Sequence, residues 1–99
     1  MKYFSNGFTK TGIPDVLVCI KGRFIAVEVK ASKGRPSPLQ IHHLKQIDES
    51  GGYAILLFPD NYDMFKEFIM HLNELNMKKA NLKYQELKQR WMKYADVTQ

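Results

Sequence analysis

Three side chains in the first third of the chain have the types and spacing to do chemistry together: Asp15, Glu28 and Lys30. Asp15 follows Pro14 and leads an apolar run, Val16-Leu17-Val18-Cys19-Ile20. Glu28 and Lys30 lie in a second run, Phe24 to Lys30, beyond a short Lys21-Gly22-Arg23 turn. Two β-branched runs joined by a Gly-containing connection of this length predict a β-hairpin. Alternate residues of a strand share a face, so Glu28 and Lys30 point one way and Val27 and Val29 the other. The hairpin can bring Asp15 beside Glu28. Two carboxylates at one spot repel unless a cation sits between them, and hard divalent ions such as Mg²⁺ or Mn²⁺ take oxygen ligands. Such an ion lowers the pKa of a water, orients a phosphate and neutralises developing charge. An ammonium two residues along can hold the water or stabilise charge on the phosphate. The parts suit hydrolysis of a phosphodiester. A structural reading competes: Glu28 and Lys30 as a surface ion pair, with Asp15 as a turn residue.

These residues need elements to position them. Val16, Val18 and Ile20 alternate with Leu17 and Cys19, so both faces of the first strand are apolar, which predicts burial on two sides. A basic loop, Ser32 to Pro36, leaves the second strand. Ser37-Pro38-Leu39-Gln40 predicts a helix start, with Ser37 as N-cap, proline in the first turn and Gln40 at capping-box spacing. Ile41, Leu44 and Ile47 make its apolar stripe, and Gly51-Gly52 ends it. Tyr53 to Phe58 predicts another buried strand, and the strand–helix–strand order a right-handed parallel crossover. Asp60 or Asn61 is the expected cap of a helix bearing Phe65, Phe68, Ile69, Leu72 and Leu75 at helical spacing. Residues 1–11 are expected as a short edge strand and a loop.

From Met77 onward Ala80, Tyr84, Leu87, Trp91 and Tyr94 recur at spacings of three or four. Six basic against two acidic side chains in 77–99 give that segment +4 of the net +5. Two uses compete: a stripe packed on the core or a second subunit with a solvated basic face, or a basic face laid along a nucleic-acid backbone.

The ordered set Gly12-Ile13-Pro14-Asp15, Ala26-Val27-Glu28-Val29-Lys30-Ala31, Gly34-Arg35-Pro36-Ser37-Pro38-Leu39-Gln40, His43-Leu44 and Gly51-Gly52-Tyr53-Ala54 resembles the virus-type replication-repair nuclease (VRR-NUC) domain, a branch of the PD-(D/E)XK nucleases. The resemblance spans roughly residues 4–70. It implies an α/β fold with a restriction-endonuclease-like core, a β-hairpin plus a parallel strand flanked by helices; the expected C-terminal basic helix lies outside the resemblance. It implies a Mg²⁺- or Mn²⁺-dependent deoxyribonuclease in which Asp15, Glu28 and the Val29 backbone carbonyl bind the metal. Lys30 would position or activate the water, and Gln40 would assist. Lys33, Arg35 and Lys10 are the candidate phosphate contacts. The implied substrate is branched or flapped DNA in replication or repair, the implied assembly a homodimer, and the setting the cytoplasm of a bacterium or phage-infected host. Family members usually begin with a helix carrying a further acidic residue; here the only acidic residue at or before the Pro-Asp pair is Asp15 itself. The alternative is a nuclease-fold DNA-binding or assembly subunit that cuts little or not at all, or a core that needs a partner segment.

Ninety-nine residues, 44% hydrophobic and 12% aromatic, suit one folded domain over 1–99, with a core at about 4–75 and a basic helical extension at 77–97. Cys19 is the single cysteine, which excludes an intramolecular disulfide and a multi-cysteine zinc site. His42 and His43 point about 100° apart on a helix, and His71 is isolated, so none reads as a ligand. No apolar run reaches the roughly 20 residues of a membrane span. A pI near 9.4 is compatible with a polyanionic partner, and no base-reading motif such as a zinc finger is evident.

Overall fold

The computed structural model describes residues 14–98, with side chains over 14–95. Strands β1 (Val16–Ile20) and β2 (Arg23–Val29) form the expected hairpin, antiparallel from Val16↔Val27 to Ile20↔Arg23. Between them lie Lys21 and Gly22, at φ 52° and 80°. Positive φ at both central residues is the type I′ turn, whose twist matches that of paired strands. Helix α1 (Pro38–Glu49) leads to β3 (Tyr53–Leu57), which pairs parallel to β2 with Ile25 against Tyr53 and Val29 against Leu57. A 3-10 turn (Pro59–Asn61), helix α2 (Tyr62–Asn73) and helix α3 (Met77–Thr98) complete the chain. Among the described residues the fold is mixed α/β, a three-stranded sheet ordered β1-β2-β3 with three helices.

Alternation across the sheet feeds two cores. On one face Ile25, Val27 and Ile55 meet Phe68 and Leu72 of α2 and Tyr84 and Leu87 of α3. On the other, Ala54, Leu56 and Phe58 meet Ile41 and Leu44 of α1 and Trp91 and Ala95 of α3. Helix α3 serves both because it runs beside β3, with Ala80, Tyr84, Leu87 and Trp91 buried and Tyr94 half-buried. Its side chains also bond the outer edge of β3. The Tyr84 hydroxyl accepts from the Ala54 N–H at 3.0 Å, and Trp91 Nε1 donates to the Ala54 carbonyl at 2.8 Å. Asn61 does the same for the strand end, accepting from the Phe58 N–H at 2.7 Å and donating to the Leu56 carbonyl at 3.0 Å. A fourth strand would use these same groups.

Three expectations are corrected. Strand β1 is not buried on both sides: Leu17 is buried, Val16, Val18 and Ile20 are half-buried, and Cys19 is exposed. Among the described residues it is an edge strand, and Cys19 pairs with Phe24, itself exposed, toward the hairpin tip. Asn61 makes no side-chain cap to α2, because its amide is taken up by the end of β3. Asp60 pairs instead with Arg90. Leu75 belongs to no helical stripe. It sits beyond α2 at φ 59°, exposed, where the N–H groups of Leu75 and Asn76 bond the Leu72 and His71 carbonyls at 3.0 and 2.9 Å. That is a Schellman end with leucine where glycine is usual.

Candidate active site

The hairpin register, carried one step past Val16↔Val27, sets Asp15 opposite Glu28. Asp15 Oδ2 accepts the Val29 N–H at 2.9 Å. Within a strand, a residue's N–H and C=O face the same neighbour, so the Val29 carbonyl looks to the Asp15 flank. Glu28 lies on the α1 side of β2 and is 3% exposed. Lys30 shares its face, with Nζ 3.6 Å from Glu28 Oε2. The ion pair of the structural reading therefore exists, but it is not a surface pair: its side chains are 18% and 4% exposed.

Gln40 does two jobs with one amide. Its Oε1 accepts the Ser37 N–H at 2.8 Å while Ser37 Oγ accepts the Gln40 N–H at 3.1 Å, the reciprocal bonds of a capping box. With the oxygen fixed there, Nε2 points at β2 and donates to Glu28 Oε2 at 2.8 Å. The start of α1 thus aims a donor at the buried carboxylate.

Burial pushes the Glu28 carboxyl up, the neighbouring Asp15 pushes it further, and Lys30 opposes both in part; the result is about 7. Two oxygen acids crowded together, one of them desolvated and only partly compensated by an ammonium, suit a hard divalent cation. If a metal were held here, Asp15, Glu28 and the Val29 carbonyl would be its oxygen donors, the ligand type Mg²⁺ and Mn²⁺ take. Among the described residues no group of three or more His, Cys, Asp or Glu side chains comes together at ligand spacing.

The loop after β2 folds back tightly. Gly34 donates its N–H to the Ala31 carbonyl at 2.8 Å, and a Cβ at Gly34 would stand 3.2 Å from that carbonyl and 3.3 Å from Lys30 Cβ. Lys33 and Arg35 of this loop face the end of α3. Together with Arg90, Lys93, Tyr94 and Phe58 they line an open groove of about 640 Å³. Sequence reasoning missed Arg90 and Lys93 as neighbours of this loop; their only signal was the basic face of the last segment. Lys10, Gly12, Ile13 and the edge strand expected in 1–11 lie outside the described residues.

No family model, curated protein or solved structure matches the chain. What the site can do rests on its own chemistry: a carboxylate, a buried carboxyl that titrates near neutrality, an ammonium and an oriented amide at one end of a hairpin.

Proposed function

We propose that the chain is a metal-dependent endonuclease that hydrolyses DNA phosphodiester bonds, selective for flap or junction DNA in replication or repair, on a PD-(D/E)XK core. The observation that carries this reading is the convergence on Glu28 of Asp15, Lys30 and Gln40, with Gln40 at 2.8 Å and Lys30 at 3.6 Å from the same oxygen. Asp15, Glu28 and the Val29 carbonyl would hold Mg²⁺ or Mn²⁺, which when bound supplies charge neutralisation and a more acidic water. Lys30 turns its ammonium to the attacking water or to a non-bridging phosphate oxygen. Gln40 fixes the Glu28 carboxylate so that its orientation is set before substrate arrives. Lys33 and Arg35 contact the phosphates of the bound strand. A homodimer would set two such sites against a two-stranded junction.

The test is cleavage of labelled duplex, flap, single-stranded and four-way-junction DNA in Mg²⁺, Mn²⁺ or EDTA. Cutting is expected only with metal, and Glu28→Gln and Lys30→Ala are expected to lose it by about 10²-fold or more. DNA that is bound but uncut with either metal replaces this reading with a nuclease-fold binding subunit.

A further inference from the structure

We infer that the groove between the 31–36 loop and the C-terminal half of α3 is the track for the phosphate backbone of one DNA strand, with Arg90 and Lys93 as its far contacts. The inference takes its ligand from the nuclease reading; the charge of the groove stands apart from it. Lys33 and Arg35 line one side and Arg90 and Lys93 the other, and among the described residues no acidic side chain lines it. Phe58 lines both this groove and the cleft holding Val29 and Lys30. A strand lying in the groove therefore leads toward Lys30, whose Nζ stands 3.6 Å from Glu28 Oε2.

The basic residues of α3 are not equivalent. Lys83 is paired with Glu67 at 3.1 Å and Glu86 at 3.8 Å, and Lys88 with Asp48 at 2.7 Å, so their charge is balanced within the fold. Arg90 is paired as well, but differently. Its Nη1 and Nη2 donate to the Asp60 carboxylate at 2.8 and 3.0 Å, and its guanidinium lies 4.2 Å from the Phe58 ring centroid. Two of a guanidinium's five donors are used, and the plane is fixed. A cation held this way loses little freedom on meeting a phosphate. Lys93 is exposed and stands 5.5 Å from the Tyr94 ring centroid. Cations set over the Phe58 and Tyr94 rings leave those faces poor platforms for bases, so the track reads backbone and carries no base preference.

The test is fluorescence anisotropy of labelled single-stranded DNA, homopolymer and mixed sequence, in EDTA over a salt series. Lys93→Glu and Arg35→Glu are compared with Lys78→Glu, which changes net charge equally but lies about 22 Å from Lys93 along α3. Each groove variant is expected to weaken binding about tenfold or more on both sequences. Each should also flatten the salt slope by roughly 0.7 to 1 for every phosphate left without its cation, with Lys78→Glu near the parent. Thermal melts of all three confirm a retained fold; Lys93 bears the main test because Arg90 also holds Asp60. Equal weakening by all three variants, or no binding by the parent chain, overturns the inference. Binding in EDTA reads the groove and cutting with metal reads the carboxylates. A groove effect without cutting removes the nuclease reading alone, and cutting without a groove effect removes the track alone.

Discussion

Glu28 is a buried acid with two donors on one oxygen, and its protonation couples the site to stability. Its carboxyl rises from 4.5 to about 7 in the folded chain. The unfolded chain therefore ionises first as pH rises, and the folded state is progressively disfavoured between those two values. Metal-free protein is expected to melt at lower temperature as pH climbs from 4.5 through 7, with the loss complete above. Glu28→Gln has no charge to desolvate, so in EDTA its melting temperature should lack that slope; parallel slopes in the two proteins would sink the idea. On the proposed function Mg²⁺ would need the ionised carboxylate, so protection against melting by added Mg²⁺ should grow across the same window. Gln40→Glu separates the two jobs of that side chain. It keeps the capping-box acceptor for the Ser37 N–H but puts a carboxylate where the amide donated to Glu28. Cutting should be lost and the alkaline melting temperature lowered, whereas Ser37→Ala should cost about 1 kcal/mol of stability and spare most of the cutting.

At the level of elements, two backbone positions test the connections. A Cβ on Gly22 meets nothing within 4 Å, so Gly22→Ala pays only for its φ of 80° and should cost about 1 kcal/mol in a denaturant titration. Leu75→Gly should do the reverse and add roughly 1 kcal/mol, because an exposed leucine holds a left-handed conformation that glycine adopts without strain. These connections also mark what sequence can tell. Two runs joined through Lys21-Gly22-Arg23 announce a hairpin, but only the fold shows that Arg23 joins β2 and leaves a two-residue turn, which sets the register that carries Asp15 to Glu28. Ser37 and Gln40 announce a helix start by spacing. The second end of the Gln40 amide is different, since only the docking of α1 on β2 decides what it meets. Asn61 reads as a cap because its type and place allow one; the strand end that takes it instead is a tertiary neighbour. A stripe at spacings of three and four says that Tyr84 and Trp91 are buried, but not that both reach Ala54. Arg90 and Lys93 are legible as charges, and the loop they face is not.

For the whole molecule, α3 is the member that joins both cores. Trp91→Ala should cost about 3–5 kcal/mol by denaturant titration, from a lost fully buried ring and an unbonded Ala54 carbonyl. Tyr84→Phe keeps the ring but removes the hydroxyl that accepts from Ala54 and donates to Asp48 at 2.7 Å. It should cost about 1–3 kcal/mol, and the Ala54 amide should exchange with solvent faster than in the parent. The same bonds decide how this sheet can be joined to anything else. A connector has as many valences as it has unfilled ends. With Ala54, Leu56 and Phe58 bonded by side chains along β3, the valence left among the described residues is at β1. A further strand, from this chain or a second copy, would have to be added there; were it the β1 of a second copy, the two open edges would close on each other and the assembly would stop at a pair.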